Sequence, residues 1–494
     1  MDDLWSILND VSPLIKCMPE SAWKVSKMPL GLGRQSPALY LADPKHDDWD
    51  YFVKHAHRVK TISVGTAGPG DMWISGFLLS AICTCAHERL AKFGPLFPNL
   101  RSLTCEIYGG ECLACIPYLG GSSLSTLRVR AYSSVVTVTH CLAPLPEILA
   151  RVQRNSPSLT LLDVSLYPIH STSQPPQTYV ADFLPAMTTF SSDQFSSLSL
   201  HFEYPPNLLR FFSVGKRLAT LNITMQHIRL DDLHFDRIPT FPALHTLILQ
   251  SCSIDVATAF LKAITTPHLH ALELRCQSFC DSWAVRLLCN AISRHENLHK
   301  LTMCSMATFT ASTMDRVPRF DMLDTLASLL SLSELRSFTL QGVVYVDIHD
   351  DYLISFGKAW LQLESLMLEI KPLQPTLGVA LETMTLPSVH ALRLIPAYFP
   401  GLISLGIPVS QKVFDPEDFH RKNETRSGLN SIFFYSSPLF HTTAEDSELL
   451  DPDKLADFLH SLFPQLRAVK GPQATGPWWP TVFSHLLTAK LADS

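Results

Sequence analysis

The residue types best equipped for chemistry in this sequence are cysteine and histidine. Cys83-x-Cys85-x-His87 stands upstream of Cys112-x-x-Cys115, and thiolate with imidazole is a donor set that zinc takes. The spacing argues against a site. Cys83 and Cys85 fall on one expected helix, where i and i+2 point apart, and a strand is expected between the two pairs. These cysteines read as buried thiols, as do Cys276 and Cys280 at helix-like spacing. His46-Asp47-Asp48 and His349-Asp350-Asp351 combine acid and base groups, but aspartate in such settings forms turns and helix N-caps. No P-loop, H-E-x-x-H or G-x-S-x-G motif occurs, and Gly65-Thr66-Ala67-Gly68-Pro69-Gly70 lacks the dinucleotide spacing. No pairing of a nucleophile with a base can be read from the sequence. The chain reads as non-catalytic, with no metal and no cofactor. The alternative is a metal-dependent enzyme built on the Cys/His residues of 83–115.

The elements that position these side chains follow from composition and periodicity. In 494 residues, 46% are hydrophobic and only 17% charged, so a large core is expected and disorder is not. A net charge of −6 gives no basic face for nucleic acid or a membrane surface. The opening residues have no basic and apolar leader, and the apolar run from Met72 to Ala86 is too short and interrupted to cross a bilayer. The expectation is an intracellular protein, cytoplasmic or nuclear, whose 12 cysteines are free thiols. With 35 prolines against 20 glycines, many short segments are expected rather than long helices.

A pattern L-x-x-L-x-L recurs. Leu244-Leu247-Leu249 and Leu269-Leu272-Leu274 are its most regular copies. Before them stand Val59-Ile62-Val64, Leu100-Leu103-Cys105, Leu124-Leu127-Val129, Leu159-Leu162-Val164, Phe195-Leu198-Leu200 and Leu218-Leu221-Ile223. After them come Leu298-Leu301-Met303, Leu335-Phe338-Leu340, Leu363-Leu366-Leu368, Val389-Leu392-Leu394, Leu402-Leu405-Ile407, Leu429-Ile432-Phe434 and a partial Leu466-Val469. From Phe195 to Leu298 the successive steps are 23, 26, 25 and 29 residues, the period of a leucine-rich repeat. Several copies follow a proline, as at Pro98, Pro157, Pro242 and Pro267, which ends a helical return and starts an extended segment.

Between strands, 254–264, 281–295, 320–330, 453–463 and 77–90 carry amphipathic helical spacing. Strand, helix and parallel strand at this period predict an α/β fold, a right-handed leucine-rich-repeat solenoid (a horseshoe) over 57–494. Residues 1–56 are expected to form a small helical cap over its first edge. Loop insertions are expected at Ser171–Gln177 and Asp415–Gly428.

Such a fold places function between the leucines. The position before each repeat's last apolar residue gives Thr104, Arg128, Asp163, Ser199, Asn222, Ile248, Glu273, Thr302, Thr339, Met367 and Arg393; two residues further lie Arg130, His201, Arg275 and Glu369. These are expected on the concave face, where solenoids bind proteins. The binding set read from them is Arg128, Arg130, Asp163, His201, Asn222, Glu273, Arg275, Glu369 and Arg393.

Both ends of the chain carry a resemblance. Leu4-Trp5-x-x-Leu8, Pro13-Leu14-Ile15-Lys16-Cys17-Met18-Pro19 and Tyr51-Phe52-x-x-His55-Ala56-His57-Arg58-Val59 resemble the segment after the F-box, and the entry to the first strand, of basidiomycete fungal F-box/leucine-rich-repeat proteins. Phe399-Pro400-Gly401-Leu402-Ile403-Ser404-Leu405-Gly406-Ile407 and the stretch from Leu455 to Leu466 resemble that family's closing repeats. Cys252, three residues after Leu249, fits its cysteine-type repeat. The resemblance implies the substrate-recognition subunit of an SCF-type ubiquitin ligase, with the target protein on the repeats. The F-box expected upstream of Leu4 is absent from this sequence, so a Skp-type adaptor and a cullin are implied as partners only where an upstream F-box exists. A protein-interaction repeat unrelated to ubiquitination is the other expectation.

Overall fold

In a computed structural model, the structure describes residues 5–29, 35–42, 48–64, 73–74, 82, 95–107, 116–133, 145–168, 185, 187–201, 207–213, 215–226, 228–233, 239–277, 281–306, 320–343, 346–370, 385–409, 428–434, 452–470, 482, 484 and 486. The chain forms two compact units. One comprises Met1–Thr224 with Arg237–Leu244, the other Met225–Asp236 with His245–Ser494.

Among the described residues the first unit carries seven repeat strands: Ile7–Leu8, Thr61–Val64, Ser102–Ile107, Thr126–Ser133, Leu161–Pro168, Ser197–His201 and Thr220–Thr224. Each pairs with the next in parallel. The second unit carries eight: Thr246–Cys252, Ala271–Cys276, Lys300–Ser305, Ser337–Val343, Ser365–Ile370, Ser404–Ile407, Ser431–Phe434 and Ala468–Lys470. These too are parallel from neighbour to neighbour.

The leucine spacing explains this build. Strand side chains alternate between faces, and in-register parallel pairing stacks like positions into rows. Leu103, Leu127, Leu162, Leu198 and Leu221 form one buried row of the first unit. Leu247, Leu272, Leu301, Phe338, Leu366, Leu405 and Ile432 form its counterpart in the second. The first leucine of each motif is not in the strand. Leu100, Leu124, Leu159, Leu244, Leu269, Leu298, Leu335, Leu363 and Leu402 close the entry turn, each amide donating to the carbonyl three residues back. All nine are buried, and burying a leucine is worth about 1.5–3 kcal/mol against leaving it exposed. Strand, return and parallel strand at this spacing make an α/β leucine-rich-repeat solenoid.

Several returns start at capped ends. Ser253 Oγ accepts from the Val256 amide ahead of helix Ile254–Ala263, and the Asp281 carboxylate accepts from Trp283 N at 2.9 Å ahead of Ser282–Ile292. The return expected at 320–330 is a short helix, Met322–Leu326, continued as the 3₁₀ turn Ala327–Ser331. Another return is Pro452–Leu462. The helix expected over 77–90 lies outside the described residues except at Ile82.

Two expectations need correction. The N-terminal segment is mixed rather than helical. Ile7–Leu8 is a strand paired with Thr61–Val64, and Trp23–Pro29 pairs antiparallel with Gln35–Leu41. Among the described residues the segment's α-helices are Ser12–Lys16, opened by Pro13 in its first turn, and Asp48–Ala56, with a 3₁₀ turn at Glu20–Ala22. The copy at Val389-Leu392-Leu394 is not a strand either. Val389–Arg393 is a 3₁₀ turn running into helix Leu394–Tyr398, and Ser365–Ile370 pairs directly with Ser404–Ile407. Apolar residues at i and i+3 also suit a helix, here one that buries Val389, Leu392 and Ile395 and leaves the i+5 residue Leu394 half-buried, so the motif matched the return segment of the repeat.

Two strands of the second unit bulge at equivalent places. The register shifts between Gln250 and Cys252 and between Gln341 and Val343. The inserted residues, Ser251 (φ 53°) and Gly342 (φ 73°), have left-handed backbone.

Candidate functional site

The face of each sheet turned away from the buried rows carries the candidate residues. In the first unit, Ser63, Thr104, Arg128, Asp163, Ser199 and Asn222 form one register row. Two residues on, Glu106, Arg130, Ser165 and His201 form the next. Because neighbouring strands lie about 4.8 Å apart, the charges of these rows meet. Arg130 reaches Glu106 at 3.7 Å and Asp163 at 4.0 Å, and Asp163 accepts the Ser165 hydroxyl at 2.9 Å. His201 Nδ1 is 3.2 Å from Thr224 Oγ1. Ser165 and His201 are almost covered, 2% and 8% exposed, whereas Arg128 is exposed.

In the second unit the rows are Ile248, Glu273, Thr302, Thr339, Met367, Gly406 and Phe433, then Gln250, Arg275, Cys304, Gln341 and Glu369. Arg275 Nε donates to Glu273 Oε1 at 2.6 Å along the same strand. Lys470 Nζ lies 5.4 Å from the Phe433 ring centroid, a cation–π contact. Glu369 is half-buried, and burial raises its carboxyl above the ordinary range. Among the described residues no ion pair or hydrogen bond holds it.

Of the nine residues read as a binding set, eight stand on these rows. Arg393 does not. It ends the 3₁₀ turn Val389–Arg393, its guanidinium 5.7 Å from the Phe458 ring centroid, because the motif that placed it on a strand belongs to a return segment. Glu106 and Ser165 were missed, although each stands two residues after a row position, as Arg130 does after Arg128.

A further column at the strand entries was also missed. His245, His270 and His299 each precede the first strand residue of consecutive repeats, and each backbone carbonyl among His245 and His270 accepts two amides of the next repeat. Leu244-His245-Thr246-Leu247, Leu269-His270-Ala271-Leu272 and Leu298-His299-Lys300-Leu301 carry the signal in plain sequence. The rings of His270 and His299 stack, with centroids 4.8 Å apart and planes 5° from parallel.

The acid–base and thiol candidates take structural roles where they are described. Asp350 accepts both the amide and the hydroxyl of Ser388 at 2.8 Å, anchoring the next return segment. Cys276 is on a strand, not a helix. Its buried sulfur lies 3.6 Å from Cys252 Sγ, and that contact together with burial pushes its thiol far up; burial takes Cys289 to about 12. Protonated, buried thiols are poor nucleophiles. Cys83, Cys85, His87, Cys112, Cys115, Cys280, His46 and Asp47 lie outside the described residues. Among the described residues, no three His, Cys, Asp or Glu side chains are grouped to hold a metal ion, and no helix is long and apolar enough to cross a membrane.

The fold and this face define the class: a leucine-rich-repeat solenoid presenting in-register polar rows. No protein-family model matches the chain, and no curated protein matches it. Among solved structures, the Rad7 and Elc1 complex of yeast aligns at 12% identity over 72% of this chain and 79% of that chain, with a TM-score of 0.40. The leucine-rich repeat-containing protein LegL7 of Legionella pneumophila aligns at 14% identity over 65% of this chain and 94% of that one, with a TM-score of 0.35. Scores this low carry no argument, and the fold assignment rests on the repeats themselves.

Proposed function

We propose that the chain is a non-catalytic scaffold that holds a partner protein on the outward rows of its repeats. The observation that carries this reading is the row from Ser63 to Asn222, six adjacent strands each presenting one polar side chain in register. Long, partly exposed pairs such as Arg130–Asp163, at 4.0 Å, contribute at most about 1 kcal/mol to stability, so the fold has little need of them. An ordered polar surface with charges of both signs is what selects a partner and sets its orientation. The resemblance of both chain ends to fungal F-box/leucine-rich-repeat proteins supports a narrower role, recognition of substrates for an SCF-type ubiquitin ligase inside the cell. A Skp-type adaptor and cullin would then bind through an F-box encoded upstream of Leu4.

The test is purification from the native host of the tagged chain and of an Arg128→Glu/Arg130→Glu variant, each also extended by any upstream coding sequence. The scaffold reading expects a discrete partner that the double variant loses while its melting temperature holds. The ligase reading expects the extended form to bring down the adaptor and a cullin; if it brings down neither, that role fails.

A further inference from the structure

We propose that the histidine column His245, His270 and His299, with His268 beside it, is a proton-gated docking strip for a carboxylate-rich segment of a partner protein. The proposal deepens the scaffold reading by naming one partner chemistry. It uses strand-entry residues of the second unit and none of the rows from Thr104 to Asn222.

Three consecutive repeats place histidine at the same offset, and parallel pairing brings the rings together. His270 stacks on His299, His245 meets His270 edge-on at 5.2 Å (64°), and His268 stacks on His245 at 6.1 Å (16°). The fixed charges around them balance, three cationic and three anionic, so the sign of the strip is set by the imidazoles themselves. Lys300 follows His299 and is exposed. Arg336 occupies the same column one repeat on and is paired with Glu364 at 3.9 Å. On the face alongside, Glu273 is held by Arg275. Glu296 stands in the exposed turn before His299. The charges that act on His270 are the other three imidazoles, each pushing it towards the neutral form, after burial as the larger cause.

Neutral, the column is a stack of polar rings and attracts no anion. Protonated, it is a line of like charges about one strand spacing apart, costly unless counter-charge arrives. A run of adjacent carboxylates supplies that counter-charge, so carboxylate binding and proton uptake reinforce one another. The His270 and His299 rings lie parallel, so their nitrogens do not converge on a point, and no metal-holding group stands among the described residues. Imidazole titrates in the range where such a gate operates.

The test uses the full chain and a fluorescein-labelled aspartate-rich peptide, with anisotropy read at about pH 7.5 and about pH 5.5. The strip predicts at least about tenfold tighter binding at the lower pH. The gain should vanish in His270→Gln/His299→Gln and persist in Arg130→Ala. A His270→Arg/His299→Arg variant should bind at both pH values, which keeps the proposal testable if the glutamine variant fails to fold. The proposal is overturned if the gain is absent, if it survives in the glutamine variant, if the arginine variant binds at neither pH, or if an asparagine-for-aspartate peptide or inorganic phosphate at matched concentration shows the same gain. Loss of the native-host partner in the row variant alone leaves this strip unaffected, so the two readings fail separately.

Discussion

His295 should make the second unit acid-sensitive, and the size of the effect follows from its site. It occupies the entry-turn position that Leu332 and Trp360 hold in the next repeats, three residues before the turn leucine. Only 8% of it is exposed, and its Nδ1 lies 2.9 Å from the Thr266 hydroxyl. Burial, then the neighbouring Arg294 charge, lowers its pKa from 6.5 to about 4, against a smaller opposing bond to the Leu261 backbone. The unfolded chain therefore binds a proton there at a pH where the folded chain does not. Stability is intact above about 6.5 and falls as pH drops through the window down to about 4. At 1.36 kcal/mol per pH unit the loss is about 3 kcal/mol. Urea unfolding at several pH values, for the wild type and for His295→Gln, reads it. His55 and His270, also lowered by burial, titrate in both proteins, so the difference between the curves isolates His295. The glutamine variant should start less stable at neutral pH and converge on the wild type near pH 4. Parallel curves over the whole range would refute the reasoning.

Four further substitutions separate scaffold from surface. Gly342→Ala should cost more than about 2 kcal/mol by urea unfolding, because left-handed backbone penalises a side chain and its Cβ would meet the Ser305 carbonyl oxygen at 2.4 Å. Ser251→Gly at the equivalent bulge should change stability by less than about 1 kcal/mol, relief of strain offsetting a looser unfolded chain. Leu272→Ala, at 1% exposure, should cost about 2–5 kcal/mol in the same assay. By contrast Arg130→Ala should cost under about 1 kcal/mol, since the side chain is 39% exposed and its ion pairs are long.

The strands and their outward rows are legible in the sequence because leucine spacing fixes register and register fixes which residues share a face. Thr104, Arg128, Asp163, Ser199 and Asn222, read only as a repeated offset, stand in one row. Arg393 is misread because a short apolar motif has no unique period: the i, i+3 step from Val389 to Leu392 occurs at a strand entry and in a helical turn alike. The 13-residue step to Leu402 was the clue, being half a repeat. The N-terminal strands escape for a related reason. Ile7–Leu8 is defined by its partner Thr61–Val64 rather than by its own alternation, and pairing partners are not written locally. The histidine column needs one offset compared across three repeats, and chemistry sought within single motifs passes over it. Whether a carboxylate such as Asp350 caps a return segment or faces a ligand depends on a serine 38 residues away.

The most direct test of a partner-binding outward face is photo-crosslinking in the native host from three positions: Ser199 and Asn222 on the row, and Trp283, which is 63% exposed on a return helix. The account predicts that both row positions crosslink to the same partner protein and that Trp283 does not. It is contradicted if the row positions yield no common partner, or if Trp283 captures that partner as efficiently as they do.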